Sequence, residues 1–179
     1  MLKKQSILLK INMKRYAGIG SRKTPIAVCA LMQKLAFKLD KRGYICSTGG
    51  AIGADQAFMN GTTNIDLWLP FNNYNGYKSN RPLPTANEIA FASRFHPNWD
   101  ACSDTAKLMH ARNGNIILGE DVDDLNPVDF VVCWTPFGEI GGGTGQALKI
   151  AEHYKIPVFN LGKGVTDELK KLVIFLNKS

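Results

Sequence analysis

Apolar residues along the chain fall into two alternating kinds of stretch. Short apolar runs at Arg15–Ile19, Tyr44–Ser47, Ile65–Leu69, Val128–Trp134 and Pro157–Leu161 read as strands. Between them, apolar positions recur at helical spacing. Val28, Leu31, Met32, Leu35 and Leu39 place one buried face on a helix that Pro25 opens, with Thr24 as its cap, and that Lys41-Arg42-Gly43 ends. Further helices are predicted over Ala51–Met59, Ala86–Arg94 and Asp104–His110. Arg112-Asn113-Gly114-Asn115 interrupts the last of these before Ile116-Ile117-Leu118 turns apolar again. Ala147–Tyr154 follows, then a final helix capped by Thr166 or Asp167 with Leu169, Leu172, Val173 and Leu176 on one face. Strands alternating with helices make βαβ units. The expected fold is therefore α/β: a Rossmann-like three-layer sandwich with a mainly parallel sheet flanked by helices. Residues 14–179 are expected to form this one domain. Residues 1–13 read as a flexible N-terminal extension, with Met13 as an alternative start.

Three glycine-rich turns follow predicted strands: Gly18-Ile19-Gly20-Ser21-Arg22, Gly49-Gly50-Ala51-Ile52-Gly53-Ala54-Asp55 and Gly141-Gly142-Gly143-Thr144-Gly145-Gln146. In an open parallel sheet, ligands bind beyond the carboxyl ends of the strands, where all three turns must lie. The first amides of a helix lack internal partners and sit at the positive end of its dipole. A glycine turn feeding a helix is thus a seat for phosphate. Gly20, Ser21 and Arg22 are the candidates in the first turn, Arg22 suiting a bidentate grip on phosphate. The second turn offers Gly49, Gly50, Ala51, Gly53 and Asp55; Asp55 bonds a ribose hydroxyl or caps backbone amides. The third offers Gly142, Gly143, Thr144, Gly145 and Gln146, with the Thr144 hydroxyl and Gln146 amide as extra donors.

Residues 71–85 are rich in Asn, Tyr, Gly, Lys and Pro and have the length of a lid or binding loop. Its Tyr74 and Tyr77 are candidates for stacking on a base. Arg112, with Asn113, either pairs locally or reaches the site. Trp68 and Trp99 read as core, His96 and His110 as structural, and Asp129 as a buried, hydrogen-bonded residue of the central strand.

Charge sharpens the ligand class. The net charge of +7 suits an anionic ligand or nucleic acid, although no block of like charges forms a binding arm. The apolar run Ile7-Leu8-Leu9 is too short for a signal sequence, and no stretch approaches a membrane span, so a cytoplasmic location is expected. The four cysteines (Cys29, Cys46, Cys102, Cys133) form no C-x-x-C pair and read as free thiols in a reducing compartment. With the three histidines scattered along the chain, no metal site is expected. An exposed apolar face on the 147–154 helix or the C-terminal helix would permit a homo-oligomer.

Gly20-Ser21-Arg22, the Ser47–Asp55 segment and Arg112-Asn113 before an Ile-Ile-x-Gly run resemble the Rossmann-like domain of DNA-processing protein A (DprA/Smf). His110-Ala111-Arg112-Asn113, Pro127–Phe130 and the GGTGQA turn are similar to the short, phage-borne members of that group, and the likeness spans residues 14 to 161. It implies a protein that binds a nucleotide or single-stranded DNA, in the host cytoplasm if phage-encoded. No cofactor is implied beyond a bound nucleotide or phosphate. The flanking helical domains of full-length members have no counterpart in these residues, so recombinase loading is not expected. The wider SLOG superfamily includes phosphoribohydrolases with the signature P-G-G-x-G-T-x-x-E. Aligned on Gly143-Thr144, their catalytic glutamate falls on Ala147 and their proline on Glu139. The resemblance therefore leans away from an enzyme. Nucleotide hydrolysis, with Glu139 or Asp55 substituting, and phage sequestration of a nucleotide signal are the alternatives.

Overall fold

Strand side chains alternate between two layers of helices. The structure is a computed structural model describing residues 13–179; apart from Met13, the expected N-terminal extension lies outside the described residues. Strands β1 (Arg15–Gly18), β2 (Ile45–Thr48), β3 (Ile65–Leu67), β4 (Phe130–Cys133) and β5 (Val158–Asn160) form one sheet in the order β3-β2-β1-β4-β5. Every pairing in it is parallel. The helices are α1 (Ile26–Asp40), α2 (Ala54–Met59), α3 (Ala86–Ser93), α4 (Asp104–Leu118), α5 (Gly142–His153) and α6 (Val165–Lys178).

Phe130 and Val132 of β4 pack with Tyr16, Met32, Phe58 and Leu172, in the layer of α1, α2 and α6. Val131 and Cys133 pack with Phe91, Ile117 and Leu148, in the layer of α3, α4 and α5. A parallel sheet covered on both faces needs apolar residues at successive positions, which is why these strands read as unbroken runs. Tyr16 stacks on Phe130 at 5.7 Å, and Tyr44, Phe159 and Phe175 approach Phe130 edge-on.

Side chains finish the sheet where a further strand would otherwise pair. Along β3, Leu67 N–H donates to Asn80 Oδ1 (2.9 Å), Asn80 Nδ2 donates to the Ile65 carbonyl (2.7 Å), and Ser79 Oγ donates to the Leu67 carbonyl (2.6 Å). At the opposite edge, Asn160 N–H donates to Glu168 Oε2 (3.1 Å). Both devices blunt an edge that could pair with another chain.

Several local expectations are corrected by packing. Thr24 does not cap α1: its hydroxyl donates to the Ser21 carbonyl (2.6 Å), and Pro25 holds the cap position. Leu31 is exposed, whereas Ala36 is fully buried where α1 meets Gly61, a contact too close for a larger side chain. Helix α2 begins at Ala54, not Ala51, because Gly53 turns the backbone at φ 90°. Helix α4 runs unbroken through Arg112-Asn113-Gly114-Asn115, whose side chains are not loop-like but buried. Helix α5 starts at Gly142, so the third glycine turn is largely the first turn of the helix itself. Gly164, and neither Thr166 nor Asp167, precedes α6; Val173 on that helix is exposed and Phe175 packs inward instead. Asp129 is exposed and accepts the Arg15 backbone N–H at 3.0 Å. Trp68 is core, but Trp99 is only half-buried.

Candidate functional site

After β3 the chain returns to pair β4 on the other side of β1. The segments leaving β1 and β4 therefore diverge from neighbouring strands and open a crevice beyond their carboxyl ends. A cleft of ≈ 870 Å³ occupies this position. It gathers Gly20, Ser21 and Arg22 from the first turn, Ala51 and Asp55 from the second, and Gly142, Gly143 and Thr144 from the third. Arg112 and Asn113 of α4 and Tyr74 of the long loop complete the predicted set that lines it. Gly49, Gly50, Gly53, Gly145, Gln146 and Tyr77 are not among its lining residues.

The glycines do two different jobs. A Cβ on Gly20 would lie 2.7 Å from Ala54 Cβ, one on Gly49 would lie 2.7 Å from Arg112 Cζ, and one on Gly53 would lie 2.7 Å from the Ser21 carbonyl oxygen. These residues let protein pack against protein. Gly50 is covered by Tyr77 and gives its carbonyl to Asn75 Nδ2 (2.9 Å), so the long loop closes over the second turn. By contrast, a Cβ on Gly141, Gly142 or Gly143 would meet nothing within 4 Å. All three are exposed, and only Gly142 has a positive φ, of 62°. Internal packing does not explain three successive glycines here. Their effect is to leave the first amides of α5, which have no helical acceptors, open to the cleft.

Behind these turns lies a buried polar frame. Asp55 Oδ2 accepts the amides of Gly49 (3.1 Å) and Ala51 (3.3 Å), so the carboxylate serves as a clasp within the second turn. Burial raises its pKa, opposed by Arg112 and by the amides of Ala51, Gly49 and Gly20. Arg112 Nη1 donates to the Gly49 carbonyl, and its guanidinium lies 5.1 Å from the centre of the Tyr74 ring. Burial lowers the Arg112 pKa, with Asp55 and Tyr74 opposing the shift. Its Nε is buried with no hydrogen-bond partner. Asn113 Nδ2 donates to the Gly143 carbonyl (3.1 Å) and to Gln146 Oε1 (2.8 Å), while Gln146 Nε2 donates to the Ala92 carbonyl (3.3 Å). Gln146 is therefore a strut tying α3, α4 and α5 together, rather than a free donor. Ala147, where the hydrolase resemblance would require a glutamate, is 1% exposed.

Lys23, Phe71, Ser103, Thr105, Met109 and Thr135 also line the cleft and were missed by the sequence reading. Ser103 caps α4 and Thr105 lies in its first turn. Lys23, beside Arg22, could have been found from its place at the turn's tip. Two of the three histidines are not scattered in space: one ligand atom each from His96, Cys102 and His110 lies within 4.8 Å of the others. Burial and the neighbouring His96 lower the His110 pKa.

No protein-family model matches the chain, and no curated protein matches it. Its fold is similar to that of DNA processing protein A. The solved Helicobacter pylori protein, described for its single-stranded DNA binding mode, aligns over 86% of this chain and 67% of its own at a TM-score of 0.55 and 17% identity. That agreement carries the Rossmann-like α/β architecture. Among the described residues, no helix is long and apolar enough to cross a membrane.

Proposed function

We propose that the cleft binds a phosphate-bearing nucleotide unit, free or as a link of single-stranded DNA, through main-chain amides and without cleaving it. The observation that carries this reading is the open start of α5, where Gly141, Gly142 and Gly143 project no side chain and an added Cβ would meet nothing within 4 Å. Phosphate is the anion such a turn suits. Arg22 and Lys23 are exposed at the cleft and supply positive charge, while Arg112 keeps an unpartnered Nε–H in its wall. Tyr74 offers an aromatic face at the same cleft. A volume of ≈ 870 Å³ accommodates a nucleotide. The fold it shares with a single-stranded-DNA-binding protein, and the resemblance to short phage-type members of that group, support the same reading. In this proposal residues 14–179 act as one binding domain, in the cytoplasm of a host if the gene is a phage's.

Turnover is disfavoured by the carboxylates. Asp55 is committed to backbone amides, and Ala147 offers no acid. Glu139, exposed and lining the cleft, is the one acidic side chain on its wall free of a described hydrogen bond or ion pair, and hydrolysis would have to run through it.

Three measurements separate the outcomes. Anisotropy of a labelled oligonucleotide at low salt should rise with protein, and affinity should fall steeply as salt is added, because bound phosphates release counterions. A small nucleotide that raises the melting temperature, with no oligonucleotide binding, would instead identify sequestration of a nucleotide. Free base or ribose phosphate after incubation would identify an enzyme. No response in any of the three overturns the proposal.

A further inference from the structure

We propose that His96, Cys102 and His110 bind one zinc ion, through the Cys102 sulfur and one nitrogen of each imidazole. His96 lies in the turn after α3, Cys102 just before α4, and His110 two turns along α4. The fold of this helix–turn–helix brings together residues that sequence spacing leaves apart. Cys102 Sγ lies 3.7 Å from His96 Nδ1 and 3.8 Å from His96 Nε2. A tetrahedral zinc with ordinary Zn–S and Zn–N bonds holds its sulfur and nitrogen ligands about 3.5 Å apart. The two imidazole rings are already packed, with centroids 4.5 Å apart.

A second observation points the same way. His110 Nδ1 is buried and has no hydrogen-bond partner. Buried polar atoms are rarely left unpaired in folded proteins, and a cation between the three side chains would satisfy this nitrogen where it is the ring's ligand atom. Trp99 stands against both rings, 6.0 Å from His96 and 6.2 Å from His110, and shields one side of the group. One thiolate and two imidazoles suit zinc rather than magnesium or calcium, which take oxygen ligands. On binding, the thiol loses its proton to solvent. Three protein ligands leave the fourth position of a tetrahedral ion for water or another donor. Because His110 also lines the cleft, the ion would stand at the cleft wall. Two of the other cysteines do not compete: Cys46 and Cys133 are core residues whose thiols burial pushes up to about 12.

Cobalt(II) serves as a visible stand-in for zinc, and no nucleic acid enters the assay, so its result is independent of what the cleft binds. Full-length metal-free protein titrated with cobalt should develop a thiolate-to-metal charge-transfer band, saturating at one ion per chain and bleached by zinc. Cys102→Ser should abolish the band while Cys29→Ser keeps it. His96→Ala and His110→Ala should each lower zinc affinity by more than the about 10–100-fold typical of losing an outer-shell partner. Zinc should also protect Cys102 of the unmutated protein from alkylation, mapped by mass spectrometry, which needs no variant to fold. Absence of the band, unchanged zinc affinity in Cys102→Ser, or equal alkylation with and without zinc would each overturn the proposal.

Discussion

Single residues at the cleft divide into those that hold the protein and those that face outward. Gly143 belongs to the second group: its added Cβ would meet open space and its φ is not positive. Gly143→Ala should therefore leave stability unchanged or raise it, by up to about 1 kcal/mol through a stiffer unfolded chain. The same change should weaken ligand binding, because the methyl group sits where the amides are offered. Paired melting curves and oligonucleotide titrations measure both effects; a loss of stability without a loss of binding would assign Gly143 to packing. Asp55 belongs to the first group. Burial lifts its native pKa above the ordinary 3.8, so above that pH the folded protein binds more protons than the unfolded chain. The stability Asp55 contributes thus declines as pH rises from 3.8 through the raised native value. Asp55→Asn should flatten that decline relative to the wild type, read from urea denaturation across a pH series. Parallel pH profiles for the two proteins would refute the assignment.

At the scale of elements, the differences between pattern and structure come from contacts between distant segments. Arg112, Asn113 and Asn115 look like a helix break because helices rarely bury such residues. Here each finds a partner: Gly49 for Arg112, Gly143 and Gln146 for Asn113, and the carbonyls of Gly119 and Glu120 for Asn115. The partners of Arg112 and Asn113 come from distant segments that no local rule reveals, so α4 reads as two pieces. The long loop was recognisable from composition, but not its second task of finishing β3. Asn80 makes two hydrogen bonds to that strand, one accepting and one donating. At about 1 kcal/mol per bond, Asn80→Ala should cost about 1–2 kcal/mol and speed amide exchange at Leu67. Exchange at Leu67 as slow as in the wild type would mean that the edge needs no such cover.

For the whole molecule, the aromatic cluster on one face of the sheet joins three strands to the C-terminal helix. Phe130 is its centre, fully buried and in ring contact with Tyr16, Tyr44, Phe159 and Phe175. Phe130→Ala should cost about 3–5 kcal/mol, seen as a lower denaturant midpoint with the fold retained at low denaturant. A cost below 1 kcal/mol would mean that the strands and the C-terminal helix are not held together through this cluster. The cleft depends on the same arrangement, since β1 and β4 must be neighbours for the first and third turns to face each other.

The sequence alone determined the alternation of strands and helices, the α/β class and the positions of the glycine turns. Those features are written in short-range periodicity and in glycine's missing side chain, which act within a few residues. Only the tertiary structure decided which glycines are filled by neighbouring protein and which stay open, that Gln146 is a strut, and that Asp55 is a clasp. It also decided that two histidines and a cysteine, separated along the chain, share one corner. Each of these turns on what another segment places within a few ångströms, and that depends on the order of the strands rather than on the residues beside it in the chain.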